Sequence, residues 1–105
     1  MRYRFGEFEL DTSQFSLRGS EGEIHLEPLV FDLLTFLIEN APGIVSRDAI
    51  IERVWGGRAI ADTTVASCVK AVRKALGDSG DAQAFVRTVR GRGLQFIATV
   101  EVQSI

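Results

Sequence analysis

The first 27 residues carry apolar side chains in short runs that alternate with polar neighbours, and turn residues separate the runs. Such a period of two is typical of short, half-buried strands. Gly19, Ser20 and Gly22 supply a turn near the end of this segment. The segment therefore predicts a small antiparallel meander that packs on one face only. Its apolar positions are Tyr3, Phe5, Phe8, Leu10, Phe15, Leu17, Ile24 and Leu26.

The chain is apolar on almost every side from residue 29 to residue 38, which predicts a central, buried helix. Pro28 suits the first turn of this helix, because its missing N–H costs nothing there. Residues 40–43 end the helix. Ile44 and Val45 then predict one short strand.

A second helix should begin after Ser46, whose side chain is a good N-cap, with Asp48 near the positive end of the helix dipole. Gly56 and Gly57 stop this helix, and a loop follows through residue 61. We expect the buried stripe to comprise Ala49, Ile50, Val54 and Trp55.

The third predicted helix, residues 62–76, has a regular apolar stripe with spacings of four, three and four. The stripe comprises Val65, Val69, Val72 and Leu76, with Cys68 and Ala75 beside it. We expect Asp62 to cap the helix at its start and Gly77 to end it. The opposite face is polar and basic, and it carries Thr63, Ser67, Lys70 and Lys74, with Ala66 and Arg73 at its border.

Two later runs, residues 85–90 and 94–100, predict a hairpin with a short cationic tip at Gly91, Arg92 and Gly93. The second run places alternate apolar side chains on one face. These are Leu94, Phe96, Ala98 and Val100.

The elements together predict an α+β fold in one domain over residues 1–105. The strands of residues 1–27 precede a three-helix core at 28–77 and a hairpin at 85–100. The order of the later elements is that of a winged helix-turn-helix. It comprises a helix, a turn, a second helix with a basic outer face and a hairpin with a basic tip.

The net charge of −2 hides two halves of opposite sign. Residues 1–57 hold five basic and ten acidic side chains, a net charge of −5, whereas residues 58–105 hold seven basic and four acidic ones, a net charge of +3. Neither residues 63–76 nor residues 82–100 contain an acid. Two basic patches, one on the third helix and one on the hairpin, therefore need a common explanation.

Binding to DNA explains both patches. An α-helix fits the major groove, cations gain affinity by releasing condensed counterions, and a hairpin can bring an Arg to the adjacent minor groove. The alternative is a solvated helix end, where cations are favoured by the helix dipole. That explanation is the better one for a single charged helix, but two basic patches on adjacent elements favour DNA.

Several short segments resemble the effector domain of OmpR/PhoB-type bacterial response regulators, from Tyr3 to about Ile97. Their order and spacing are more specific than any one of them. The segments are Phe5-Gly6-Glu7-Phe8-Glu9-Leu10-Asp11, Phe31-Asp32-Leu33-Leu34, Val45-Ser46-Arg47-Asp48, Val54-Trp55-Gly56, Asp62-Thr63-Thr64-Val65, Arg73-Lys74-Ala75-Leu76-Gly77-Asp78 and Thr88-Val89-Arg90-Gly91-Arg92-Gly93 with Phe96.

The resemblance implies that the third helix is the recognition helix and the hairpin is the wing. It implies contacts with phosphates, or positions close to them, for Thr63, Thr64, Lys70 and Arg73, with Lys74 on the same basic face. It implies an approach to base edges for Ser67 and Ala71, and a role in the wing for Arg90 or Arg92.

Two departures from the family pattern prevent a transfer of sequence specificity. Ala71 stands where family members often carry a base-reading Arg, so only an apolar contact, for example with a thymine methyl group, is open to it. Leu94-Gln95 replaces the usual aromatic and Arg after the wing glycine.

The connection between the second and third helices is expected to contact RNA polymerase, a role that the resemblance assigns to this loop in activators. Gly57 gives the loop mobility, while Arg58 and Ile60 offer one charge and one apolar group that need not be buried. A plain helix connector is an equally good explanation.

Three other features are explained more simply by a structural role than by a catalytic or ligand-binding one. His25 has no second His or Cys nearby, so we interpret it as an exposed strand residue and not as a ligand. Cys68 lies beside an apolar stripe and is expected to be a buried structural thiol. The segment from Gly91 to Gly93 lacks the strand-to-helix setting of a nucleotide-binding loop.

The leading hypothesis is a sequence-specific duplex-DNA-binding domain of a bacterial transcription regulator that acts in the cytoplasm. No catalytic residue, metal, cofactor, small-molecule ligand or membrane contact is expected. The chain starts at Met1, so we expect no receiver domain before it. The resemblance implies tandem DNA sites, but no dimer interface is specified. A winged helix that binds protein and not DNA is the alternative, and a small hydrolase lacks its catalytic groups.

Overall fold

The computed structural model describes residues 1–103, which form the predicted α+β arrangement of a meander, three helices and a hairpin. In chain order the elements are β1 (Arg2–Phe5), β2 (Phe8–Asp11), β3 (Ser16–Gly19), β4 (Gly22–Ile24), α1 (Pro28–Glu39), β5 (Ile44–Val45), α2 (Arg47–Trp55), α3 (Asp62–Ala75), β6 (Val86–Val89), β7 (Gly93–Phe96) and β8 (Glu101–Gln103).

The N-terminal sheet has the strand order β4-β3-β2-β1-β8 and is antiparallel throughout. Its inner face buries one or two apolar side chains from each of three strands, and these are Tyr3, Phe5, Leu10 and Leu17. Its outer face carries a row of alternating charges across all five strands, in the order Glu23, Arg18, Glu9, Arg4 and Glu101. Such cross-strand neighbours of opposite charge favour this register.

The strand β8 corrects the predicted extent of the wing. The hairpin ends at Phe96, and the chain then crosses to the N-terminal sheet, where Glu101 pairs with Arg4. Ala98 and Val100 are half-buried against the core but lie outside both strands. The alternation of apolar residues continues through this crossing, so periodicity alone assigned residues 97–100 to the wrong element.

Helix α1 is the buried central helix that the sequence predicts. Leu33, Leu34 and Leu37 are at most 1% exposed, and the helix packs against α2, α3 and β7. Pro28 occupies its first turn. Like the other helices in residues 1–103, α1 is too short to cross a bilayer.

Helix α2 begins as predicted, because the Ser46 hydroxyl accepts a hydrogen bond from the Ala49 N–H at 3.0 Å. Ile50 and Val54 are buried, whereas Ala49 and Trp55 are half-buried. Trp55 still packs against the core, on the side expected for the apolar stripe.

The predicted cap of α3 is wrong. Ala61 is the N-cap residue, and Asp62 is the first residue of the helix. The Asp62 carboxylate instead forms an ion pair with Arg47 at the start of α2. Arg47 also donates a hydrogen bond to the Ile60 carbonyl oxygen at 3.3 Å, so one guanidinium joins the two helices of the helix-turn-helix. The helix ends at Ala75, one residue earlier than predicted, and Gly77 follows with a φ of +67°.

The wing is anchored along its inner edge by β5, in a sheet of order β5-β7-β6. Gly93 makes this possible, because a Cβ atom there would lie 1.9 Å from the Val45 carbonyl oxygen. Its φ of +139° also excludes ordinary L residues. The Gln95 side chain adds a 2.8 Å hydrogen bond to the Pro42 carbonyl oxygen. The backbones of β5 and β7 are therefore in direct contact at Gly93.

We expect Gly93→Ala to lower the free energy of unfolding by about 3 kcal/mol or more, because the added methyl group forces β5 and β7 apart. Gly91→Ala is the matched control. Gly91 has a φ of +73°, but a Cβ atom there would meet nothing within 4 Å beyond its chain neighbours, so its cost should be only about 1 kcal/mol. Urea unfolding followed by Trp55 fluorescence measures both, and equal losses would contradict the steric explanation.

Candidate nucleic-acid interface

The outer face of α3 presents the polar and basic side chains that the sequence predicts. Thr63, Ser67, Lys70 and Lys74 are exposed on it, and Thr64 and Ala66 are exposed beside it. Val65, Cys68, Val69 and Val72 are buried on the opposite face. The helix therefore offers short polar groups and two flexible ammonium groups to whatever lies in front of it.

Ala71 does not share this face. It is half-buried, packs against the core and lines a groove with Leu26 and Val30. The predicted approach of Ala71 to base edges does not fit this position. The reason is angular, since each residue turns the helix by about 100°, and Ala71 lies on the side of α3 nearer to α1.

The tip of the wing lies close to α3. Arg90, Gly91 and Arg92 are exposed, and the Arg92 N–H donates to the Val89 carbonyl oxygen at 2.9 Å to close the turn. An open cleft between the two elements is lined by Val65 and Val69 of α3 and by the tip residues Arg90 and Arg92. The tip, which carries one predicted basic patch, thus lies against α3, the helix that carries the other.

Arg73 points to the wing and not to the outer face of α3. Its Nε and Nη2 atoms donate to the Val86 carbonyl oxygen at 3.3 and 3.1 Å, and Nη2 also donates to the Thr88 hydroxyl at 3.0 Å. Arg73 is half-buried, whereas Lys70 and Lys74 are exposed. Its predicted contact with a phosphate stays a prediction, and the bonds it makes here are internal.

Asp78 organises the loop between α3 and the wing. Its carboxylate accepts hydrogen bonds from four backbone N–H groups, at distances of 2.7 to 3.1 Å. Burial acts to raise the pKa of this carboxyl group, but the bonds from Phe85, Ala84, Val86 and Ser79 outweigh burial and leave the pKa below its ordinary value.

The sequence pattern leaves Asp78 between the third helix and the hairpin and does not indicate this role. The motif Gly77-Asp78 does mark a turn after a helix, and the bond to the Ser79 N–H is a local turn bond. The bonds to Phe85 and Val86, seven and eight residues away, have no periodic signal. Gln83 was missed for the same reason: its Oε1 atom accepts from the Thr88 N–H at 2.9 Å.

The connection between α2 and α3 exposes fewer groups than predicted. Gly57 and Arg58 are exposed, but Ile60 is half-buried and packs against the core. The expectation that Ile60 lies free on the loop is therefore wrong. An apolar side chain close to the start of a helix that packs on the core gains free energy when it too packs there.

Cys68 is a buried thiol, as predicted. It is 7% exposed, and its Sγ atom lies 3.7 Å from the Leu29 carbonyl oxygen. Burial, with a smaller effect from the Asp32 charge, raises its pKa to about 11. His25 is exposed, just after the last residue of β4. In the part of the chain that the structure describes, no group of three or more His, Cys, Asp or Glu side chains is placed to hold a metal ion.

Comparisons with known proteins agree with this arrangement. Residues 21–96 match the family described as "Transcriptional regulatory protein, C terminal". The chain is 28% identical over 103 residues to the transcriptional regulator HilA of Salmonella typhimurium, which covers 98% of this chain and 18% of HilA. The chain thus spans less than a fifth of that relative.

Two solved structures are similar over nearly their whole length. The RstA DNA-binding domain of Klebsiella pneumoniae, in complex with the RstA box, has a TM-score of 0.82 and 26% identity and covers 91% of this chain and 96% of that one. The DNA-binding domain of Escherichia coli CadC has a TM-score of 0.81 and 27% identity and covers 95% and 94%.

We expect Asp78→Asn to lower the free energy of unfolding at pH 7 by about 1 to 3 kcal/mol, because four N–H groups lose a charged acceptor. The folded-state pKa lies below the unfolded-state value of about 4. The carboxylate therefore stabilises the fold above that value, and the gain is lost as the pH falls through the folded pKa.

The difference between parent and Asp78→Asn should accordingly be constant above about pH 5 and shrink towards pH 3. Urea unfolding at several pH values measures it. Asp81→Asn, which alters an exposed carboxylate in the same loop, is the control and should change stability little. An undiminished difference at pH 3 would contradict the role assigned to the carboxylate.

Proposed function

The chain belongs to the family of transcriptional regulatory C-terminal domains, the OmpR/PhoB-type winged helices, and on this basis we propose that it binds duplex DNA sequence-specifically in a bacterial transcription regulator. Helix α3 enters the major groove, and wing residues 90–93 lie near the minor groove. The family is not a class of enzymes. The activity of any larger protein that contains this domain, and its location in the bacterial cytoplasm, form part of the proposal.

One observation carries the proposal: α3 and the wing tip, which share an open cleft, both expose cations. Lys70 and Lys74 are exposed on α3, and Arg90 and Arg92 are exposed at the wing tip, which lines the cleft with Val65 and Val69 of that helix. The segments that bear them contain no acid. Two neighbouring elements of different shape that both expose cations suit a helical polyanion, in which phosphates border both grooves.

The exposed residues divide by the chemistry of their side chains. Lys70 and Lys74 have flexible ammonium groups that suit phosphates, and Ser67 is short enough to let the helix approach base edges. We assign contacts with phosphates to Thr63 and Thr64 as well, because both are exposed in the first turn of α3 and their hydroxyl groups can donate hydrogen bonds. Arg90 and Arg92 have the planar guanidinium that is favoured in a narrow minor groove. We assign no DNA contact to Ala71, because it is half-buried. We assign none to Arg73, because its donors are bonded to the wing.

We also propose that the α2–α3 connection contacts RNA polymerase when the regulator activates transcription. Support comes from the family resemblance and from the exposure of Gly57 and Arg58, which lie between the two helices of the helix-turn-helix but outside the outer face of α3. Ile60 drops out of this surface because it packs against the core.

Affinity for duplex DNA should fall steeply with salt. If the helix face and the wing neutralise about four to six phosphates, the slope of log affinity against log salt is about −4 to −5. Lys70→Ala should make the slope shallower by about one. Titration of a fluorescent duplex at several salt concentrations measures both slopes.

The control for the salt experiment is Arg18→Gln, which removes a cation from the outer face of the N-terminal sheet, and its slope should equal that of the parent. Folded protein that binds no duplex even at low salt would exclude the DNA proposal. That result would favour the alternative, a winged helix that binds protein.

Arg58→Ala tests the polymerase proposal. It should leave operator affinity within about twofold of the parent, because an exposed loop cation outside the interface contributes little, and it should reduce transcriptional activation in a reporter strain that carries the full-length regulator. Ala59→Ser, a small change at the next exposed position, is the control. Equal losses of affinity and activation would place Arg58 in the DNA interface instead.

A further inference from the structure

We propose that Arg73 and Asp78 form a helix–wing clamp on the backbone of Val86, and that Arg73 is a positioning residue which sets the wing relative to α3 for DNA recognition. This role rests on the proposed DNA binding. It assigns Arg73 an action through the wing and not a direct contact with a phosphate.

The clamp holds both backbone polar groups of one buried residue. The Val86 side chain is fully buried. Its N–H donates to the Asp78 Oδ2 atom at 3.1 Å, and its carbonyl oxygen accepts from Arg73 Nη2 at 3.1 Å. The two side chains come from the C-terminal end of α3 and from the residue just after Gly77. Thus α3 and the loop that follows it supply both bonds.

The strand needs these bonds because β6 is an edge strand, in the sheet order β5-β7-β6. Val86 pairs with Phe96 in the ladder, but the N–H of Ile97 donates to the carbonyl oxygen of Phe85, the residue before Val86. In antiparallel sheets such hydrogen-bonded pairs alternate with pairs whose polar groups point outwards. Val86 therefore turns its polar groups away from β7, towards Arg73 and Asp78.

The clamp reaches nearly to the wing tip. Arg73 Nη2 also donates to the Thr88 hydroxyl at 3.0 Å, and the Thr88 N–H donates to Gln83 Oε1 at 2.9 Å. Thr88 is two residues before Arg90. The distance between the cations of the tip and the outer face of α3 is therefore set by side chains that hold β6, and this distance has to match the separation of the two grooves.

The chemistry of Arg73 suits this task. A guanidinium is a planar fork with several N–H donors, so it bonds a carbonyl oxygen and a hydroxyl at once, which a lysine ammonium at the end of a flexible stem does less well. The half-buried position of Arg73 sets it apart from the exposed Lys70 and Lys74 on the same helix.

The first test needs no DNA. Amide hydrogen exchange of the free protein, measured by NMR for the parent, Arg73→Gln and Arg73→Lys, should show about tenfold or greater loss of protection at Val86 and Thr88 in both variants. Protection at Val72 in α3 and Leu37 in α1 should stay at the level of the parent. Equal loss at all four amides, or none at Val86 and Thr88, would overturn the clamp.

The second test is a double-mutant cycle on duplex DNA at fixed salt. Arg73→Gln should weaken binding about tenfold in the parent, but less than about twofold once Arg90 and Arg92 are both replaced by Ala, because no tip cation is left to position. Lys74→Gln is the comparison, since its effect should be the same with and without the two tip arginines. Equal effects of Arg73→Gln in both backgrounds would mean a direct contact and overturn the positioning role.

Two further readouts separate position from charge. Arg73→Lys keeps the charge but loses the fork, so it should weaken binding nearly as much as Arg73→Gln. A full rescue by Lys would overturn the proposal.

Both variants should also reduce the preference of the parent for A-tract flanks over G·C flanks, since a narrow minor groove attracts the wing arginines. If the parent binds no duplex, the proposed function itself fails, and with it the positioning role; hydrogen exchange then judges the clamp alone.

Discussion

Helix α1 is apolar on almost every side, so the rest of the fold has to cover most of its surface. An amphipathic helix needs one apolar partner surface, whereas a helix of this kind needs partners on several sides. The N-terminal sheet, α2, α3 and β7 each supply part of the cover. Because the recognition helix and one wing strand both pack on the same central helix, their positions are coupled through the core before any polar contact is counted.

Core packing leaves the wing incompletely held. A hairpin with strands of four residues is at best marginally stable by itself in water, and each of its strands has an outer edge. The two edges are satisfied in different ways. On the β7 side the backbone of β5 approaches so closely that only Gly93 fits. On the β6 side no strand from residues 1–103 follows in the sheet order, and side chains of Arg73, Asp78 and Gln83 take the place of a strand.

A feature could be predicted from the sequence when it depends on local chemistry, and it could not when it depends on a tertiary contact. The Ser46 cap and the apolar stripe and basic face of α3 follow from local chemistry or a short period, and each was predicted correctly. Local reasoning failed for Asp62, whose carboxylate finds Arg47 from another helix, and for β8, because a period of two does not say which sheet a strand joins. Ala71 and Arg73 lie at opposite borders of the basic face, and only tertiary contacts decide that one packs against the core and the other bonds to β6.

The distribution of charge shows why the net charge of −2 does not argue against a polyanionic partner. The molecule extends 35 by 28 by 22 Å, whereas charges are screened over about 8 Å at physiological ionic strength. The cations of α3 and the wing tip therefore act mainly through the local field, and two acids of the N-terminal sheet are themselves paired with Arg2 and Arg4. At low salt screening is weaker, and the acid-free basic segments of α3 and the wing then attract a polyanion over a longer range. The local charge of α3 and the wing thus matters more for DNA affinity than the net charge of the chain does.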